Sequence, residues 1–254
     1  MAFKVKNFLS NDDVETLQEG GQFRVIEYKR DLSVIPETAQ KAYFSSKMNV
    51  RKRQLVCNLS KSNGLVLQSG AMQWMLGDVE AKTGIKGAAD LVGKMFKSSV
   101  TKESTVKPEY FGNGILVTEP TYRHLIILDL NNWNNSVVLD DGLFLSCDSD
   151  IKQTIVARSN LSSAVAGGEG LFNLCLVGEG FAVIESFVPK EELIEIELND
   201  DVCKIDGNFA IAWSSTLNFT VERSSKSLLG SAVNGEGLVN VYRGTGKILM
   251  APVN

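Results

Sequence analysis

Histidine is almost missing from this chain: there is one, His124, in 254 residues. Chemistry that needs two imidazoles is excluded, and a Ser-His-Asp or Cys-His arrangement would have to run through His124. Cysteine is sparse as well. Cys57, Cys147, Cys175 and Cys203 stand too far apart for a CxxC motif. A zinc site is therefore not expected, and free thiols in a reducing cytosol are. Five prolines against 22 glycines point to many turns rather than a Pro-rich disordered chain. No uncharged run reaches the roughly 18 residues of a membrane-spanning helix. The opening Met-Ala-Phe-Lys-Val-Lys-Asn-Phe-Leu leads to Asn11, Asp12 and Asp13, which reads neither as a signal peptide nor as an Arg-rich transit peptide. A cytoplasmic protein is expected. What is left, 44% hydrophobic and 22% charged residues, is ordinary globular composition with enough apolar mass for a core.

What the chain does have is internal repetition. Gly168-Glu169-Gly170-Leu171-Phe172-Asn173 returns as Gly235-Glu236-Gly237-Leu238-Val239-Asn240. Asp141-Gly142 and Arg158-Ser159 return as Asp206-Gly207 and Arg223-Ser224. A weaker copy lies earlier, where Asn63-Gly64-Leu65 mirrors Asp141-Gly142-Leu143 and Gly112-Asn113-Gly114 mirrors Gly168-Glu169-Gly170. The reading is a single domain over residues 1–254 with three units, at about 22–118, 119–186 and 187–254. Within the units the apolar runs have strand length: His124–Leu128, Leu143–Cys147, Phe181–Ile184 and Asn208–Trp213. Glu195-Ile196-Glu197-Leu198 alternates, as a half-solvated strand does. Gly142, Gly168, Gly170, Gly207, Gly235 and Gly237 are read as turn glycines supplying positive φ. A phosphate cradle is the other reading of Gly-Glu-Gly, but the motif neither opens a helix nor ends in Gly-Lys-Ser/Thr. The fold class is all-β, a sandwich or barrel-like body.

The first unit carries an insertion between about residues 84 and 107. Ile85, Ala88, Ala89, Leu91, Val92, Met95 and Phe96 fall on one helical face, which predicts a short helix near residues 87–98. Such a helix either covers an open end of the β body or presents an amphipathic surface to a membrane or partner.

Ser69-Gly70-Ala71-Met72, the following Gly77-Asp78-Val79-Glu80, and the two Gly-Glu-Gly-Leu copies together resemble the bacterial branch of the altered-inheritance-of-mitochondria (mitochondrial biogenesis) proteins, a family of unknown function. The resemblance runs from about Phe23 to the C-terminus. It implies a fold like that of the trp RNA-binding attenuation protein: three repeats of a short double-stranded β-helix unit with pseudo-threefold symmetry. It also implies a link to mitochondrial inner-membrane organisation in the eukaryotic relatives. It brings no catalytic residues and no cofactor.

Charge is distributed unevenly beneath a net −4. Residues 41–110 hold 12 basic and 5 acidic side chains, whereas residues 111–254 hold 9 and 18. Either the basic residues are spread around the body or they form a face for an anionic partner, for which Lys86, Lys94, Lys97 and Lys102 are the candidate binding residues. His124 opens an apolar run and reads as a strand histidine with a satisfied hydrogen bond. Carboxylate pairs such as Asp148 and Asp150 read as solvated turn residues, and no His/Asp/Glu cluster has metal spacing. The function expected is that of a non-catalytic scaffold or interaction protein linked to membrane organisation, with a protein partner or an anionic membrane surface and with self-association left open. A nucleic-acid-binding module is the alternative, disfavoured by the acidic total and the few aromatics in the basic segment. A small-molecule-binding protein is the other.

Overall fold

The computed structural model describes residues 3–30, 33–82, 107–157, 172–223 and 238–253. Short runs of β-branched and aromatic residues bounded by glycine form strands throughout. The first third supplies β1 (Val14–Gly20), β2 (Phe23–Tyr28), β3 (Arg53–Leu59), β4 (Leu65–Leu67), β5 (Met72–Lys82) and β6 (Glu109–Thr118). The middle supplies β7 (His124–Asp129), β8 (Ser136–Leu139), β9 (Phe144–Asp148), β10 (Lys152–Ala157), β11 (Phe172–Val177) and β12 (Phe181–Ser186). The last part supplies β13 (Ile194–Asp206), β14 (Ala210–Ser214), β15 (Asn218–Arg223) and β16 (Leu238–Met250). All four apolar runs and the alternating segment read as strands are strands. On β13, Ile196 and Leu198 are half-buried while Glu195 and Glu197 face water. Gly142 and Gly207 stand at φ of 78° and 71°, as their turns require.

The strands form two strongly curled, near-barrel sheets. One runs β1-β2-β3-β6-β4-β9-β12-β7 with β5 against β6, and the other β10-β11-β8-β14-β16-β13 with β15 against β16. The main core joins them: Ile126, Phe144, Ala182 and Ile184 of the first sheet pack with Val137, Leu139, Leu176, Ile211 and Leu249 of the second. Each such aliphatic or aromatic side chain removed from water stabilises the fold by about 1.5–3 kcal/mol. Cys57, Cys147 and Cys175 are buried free thiols. Burial raises the Cys57 and Cys147 thiols far above their ordinary range, so both stay protonated and unreactive.

The first sheet is curled until its two end strands, β1 and β7, meet. Backbone pairing does not close that seam; one side chain does. Gln18 of β1 donates from Nε2 to the Leu125 carbonyl at 3.3 Å and accepts the Ile127 amide on Oε1 at 3.2 Å. A side-chain amide thus stands in for one peptide unit along the edge of β7. A bulge between Thr16 and Gln18 sets this up by turning Leu17 out to solvent. Close approach also needs Gly20, where a Cβ would sit 2.8 Å from Ile127 Cγ2, and Gly21, where it would sit 2.5 Å from Phe181 Cδ2 at φ 55°. The next residue, Gln22, donates to the Gly64 carbonyl at 2.8 Å and to Asp148 Oδ1 at 2.7 Å. The Asp148 Oδ2 atom accepts the Phe181 amide at 2.7 Å. Asp148 is therefore buried rather than the solvated turn residue expected, because it ties the β1–β2 turn to β9 and β12. Burial raises its carboxyl above the usual range, against these two hydrogen bonds.

The one α-helix among the described residues is α1 (Pro36–Lys47), between β2 and β3, a position where no helix was expected. Pro36 at its start and Glu37 in its first turn are ordinary helix-opening residues. The helix expected near residues 87–98 lies outside the described residues. Replacing Gln18 with Ala leaves the Leu125 carbonyl and Ile127 amide without a protein partner. The variant should lose about 1–3 kcal/mol of stability in urea unfolding, with its m-value unchanged.

Candidate functional site

Helix α1 is built the wrong way round for a helix that covers a core. Its half-buried side faces the body with Ala39, Ala42, Ser45 and Ser46, all small. Its outward side carries Tyr43 and Phe44, which are 59% and 58% exposed, and Ile35, Met48 and Val50 at its two ends are also exposed. None of its residues is buried. Tyr43 and Phe44 contact each other edge to face with ring centroids 5.4 Å apart, and Lys47 lies over the Tyr43 ring. Large apolar side chains on water at the side away from the body mark a contact surface rather than a packing surface.

The helix is held off the sheet by polar ties. Ser46 Oγ donates to the Lys29 carbonyl at 2.6 Å, and Arg51 Nε donates to the Ser46 carbonyl at 2.9 Å. Between helix and sheet lies a cavity of about 780 Å³. Thr38, Lys41, Ala42 and Ser45 roof it from α1, and Tyr28, Gln54 and Gln73 belong to the sheet side. The Tyr28 hydroxyl donates to Gln54 Oε1 at 2.6 Å, and Gln54 Nε2 donates on to Gln73 Oε1 at 2.9 Å. Arg30, Lys41, Arg51 and Lys52 line it, and among the described residues the lining carboxylate is Asp13, which pairs with Arg30.

Next to this wall is a buried ion-pair cluster. Glu27 on β2 receives Arg51 on Oε1 at 2.7 Å and Arg53 on Oε2 at 2.6 Å. Arg53 is 1% exposed and also donates to Asn49 Oδ1 at 2.7 Å and to the carbonyls of Asn49, Arg51 and Tyr122. It thereby joins β2, the segment after α1 and the segment before β7. Its Nε has no hydrogen-bond partner among the described residues. Two guanidiniums share one carboxylate here, which leaves an excess positive charge.

On the far side of Glu27 and Arg53 is a smaller cavity of about 220 Å³, lined also by His124, Lys190 and Glu191. His124 opens β7 as expected, but no hydrogen bond to its ring is found among the described residues. It borders this cavity instead. Burial, and after it the charge of Arg53, hold the imidazole below its usual range against the pull of Glu27 and Glu191.

Lys86, Lys94, Lys97 and Lys102 lie outside the described residues, as do Gly168, Gly170, Gly235 and Gly237. Among the described basic residues of segment 41–110, Arg51 and Arg53 are drawn into the ion-pair cluster, while Lys41, Lys47 and Lys61 are exposed. Sequence reasoning missed α1, the cavity beneath it and the role of Glu27. The sequence signal for the helix was Pro36-Glu37 followed by helix-forming residues. The signal for the cluster was Glu27 and Arg53, charged residues within otherwise apolar strand runs. No group of three or more metal-binding side chains occurs among the described residues. No helix among them is long and apolar enough to cross a membrane.

Residues 46–253 match the protein family described as mitochondrial biogenesis AIM24. An uncharacterized protein of Streptococcus pyogenes serotype M6 is 29% identical over 205 residues, which cover 78% of this chain and 80% of the relative. A crystal structure of a Streptococcus pyogenes protein is similar with a TM-score of 0.59 at 23% identity, over 95% of this chain and 94% of that one. That likeness shows a shared fold. The cavity is roofed by residues that precede the family match, and part of its sheet side, with Arg51, Gln54 and Gln73, lies inside it.

Two outcomes follow from the ion-pair cluster. Glu27→Gln leaves two guanidiniums without their shared counter-charge and should cost about 3–5 kcal/mol in denaturant unfolding. Because the folded His124 ring resists protonation, the unfolded chain binds more protons as pH falls below about 6.5. Stability should therefore decline from that pH downward, and His124→Gln should flatten this part of a Tm-against-pH curve.

Proposed function

The chain belongs to the mitochondrial biogenesis AIM24 family, and we propose that it is a non-catalytic scaffold that docks on an anionic membrane surface through helix α1. One observation carries this: the helix turns alanine and serine toward the body and Tyr43 and Phe44 outward. Aromatic and long apolar side chains beside lysines suit the boundary between headgroups and acyl chains. Lys41 and Lys47 lie on the same helix, and Lys29 and Lys52 flank it in sequence. Each basic group near an anionic surface adds about 1 kcal/mol of attraction. The proposed working side is the cytoplasmic one, where anionic lipids and reduced thiols coexist. A peripheral scaffold needs no reactive centre, and the one imidazole is half-buried beside an ion-pair cluster instead of beside a nucleophile.

The body of the scaffold is, in this reading, one domain of three related units. What supports it is a register shared at a constant offset of 66. Leu174 opposite Leu139 becomes Asn240 opposite Ile205, and Lys152 opposite Val177 becomes Asn218 opposite Arg243. Ile184 opposite Phe144 becomes Met250 opposite Ala210, with a bulge in both pairs. The first unit shares the plan more loosely: β6 lies between its hairpin partner β5 and the earlier β3, as β11 lies between β10 and β8.

Flotation with phosphatidylglycerol vesicles tests the docking. The full chain should float with anionic but not with phosphatidylcholine vesicles, and binding should weaken as salt shortens the Debye length. Tyr43→Ser with Phe44→Ser should abolish flotation at unchanged Tm, since neither ring is buried. Flotation that survives this double variant, or binding that ignores lipid charge, overturns the reading; capture of a protein partner by the same face without flotation overturns it too.

A further inference from the structure

The cavity under α1 is not explained by docking, because it lies on the body side of the helix while the aromatic rings point away. Its walls have three properties together. It is of ordinary ligand size at about 780 Å³. Among the described residues its lining cations are Arg30, Lys41, Arg51 and Lys52 and its lining carboxylate is Asp13. Its remaining wall is part apolar, from Val34, Ala42, Val50 and Pro120.

The charge of Arg51 is only partly cancelled from behind. Arg51 pairs with Glu27, but Glu27 is already held by the fully buried Arg53, so the pair of guanidiniums keeps one positive charge in excess. Arg30 is matched by Asp13. Lys41 has no hydrogen bond or ion pair among the described residues, and it reaches the rim of the roof from the exposed flank of α1. The sheet side offers polar groups already ordered by the Tyr28–Gln54–Gln73 chain, so a ligand meets them in fixed positions. Cations in a concave, partly apolar site raise the local potential for an anion.

We propose that this cavity binds an amphiphilic organic anion, a phosphate or carboxylate headgroup joined to a short apolar body, with the headgroup on Lys41 and Arg51 and the apolar part against Val34, Val50 and Pro120. A lipid headgroup and a free phosphate ester share this chemistry. The inference does not require α1 to touch a membrane.

The test is calorimetric titration of the full chain with octyl phosphate, and with octanol and inorganic phosphate as its two halves. Octyl phosphate should bind saturably at one site, and each half should bind at least tenfold more weakly. Lys41→Ala, an exposed change that leaves folding intact, should weaken octyl phosphate about tenfold, the loss of one charge-assisted contact. Ala42→Trp, which fills the cavity without altering charge, should remove binding at unchanged helicity. Tyr43→Ser with Phe44→Ser should leave the titration unchanged, so failure of the docking reading and failure of this one are told apart. Competition by phosphatidylglycerol vesicles identifies a lipid headgroup as the source; binding without competition identifies a free ester. Octanol binding as tightly as octyl phosphate, or titrations unaffected by both Lys41→Ala and Ala42→Trp, overturns the proposal.

Discussion

Everything N-terminal in this molecule depends on a seam closed by one glutamine. A curled sheet whose end strands fail to meet leaves two rows of unpaired backbone groups. Here β1 and β7 meet at Gln18, whose amide serves one donor and one acceptor of β7. The seam works because Gly20 and Gly21 remove the side chains that would strike Ile127 and Phe181, and because Gln22 and Asp148 hold the turn in place. These contacts set where the β1–β2 hairpin lies, and β2 leads directly toward α1.

The second constraint is electrostatic. Glu27 sits on the hairpin that the seam positions, and Arg53 on the neighbouring β3 crosses it to reach Asn49 just past α1. Buried charge is tolerated there because nearly every proton of Arg53 has an acceptor. The same cluster leaves Arg51 at the edge of the larger cavity and His124 at the edge of the smaller one. The helix, the cavity and the exposed aromatic rings are thus consequences of how the first sixty residues are tied to the curled sheet.

The strand content was legible because its signals are local. Runs such as Phe181–Ile184 are apolar on both faces, and Asp-Gly pairs at 141–142 and 206–207 ask for positive φ. Helix α1 was not legible as an amphipathic element because its pattern is reversed: Ala39, Ala42, Ser45 and Ser46 face inward and Tyr43 and Phe44 outward, so the apolar stripe that marks a core-facing helix is absent. The ion-pair cluster escaped for a different reason. Its members are distant in sequence and become partners only when β2 and β3 pair, with Glu27 opposite Arg53. Asp148 escaped likewise, since its partner Gln22 is 126 positions away.

Amide hydrogen exchange at Ile127 tests the seam most directly. On an end strand its amide would exchange as a free edge group does; accepted by Gln18 Oε1, it should be protected to the level of the sheet interior and lose that protection in Gln18→Leu. Rapid exchange at Ile127 in the unaltered protein, or protection that persists in Gln18→Leu, would contradict the closed seam on which the placement of α1 and its cavity rests.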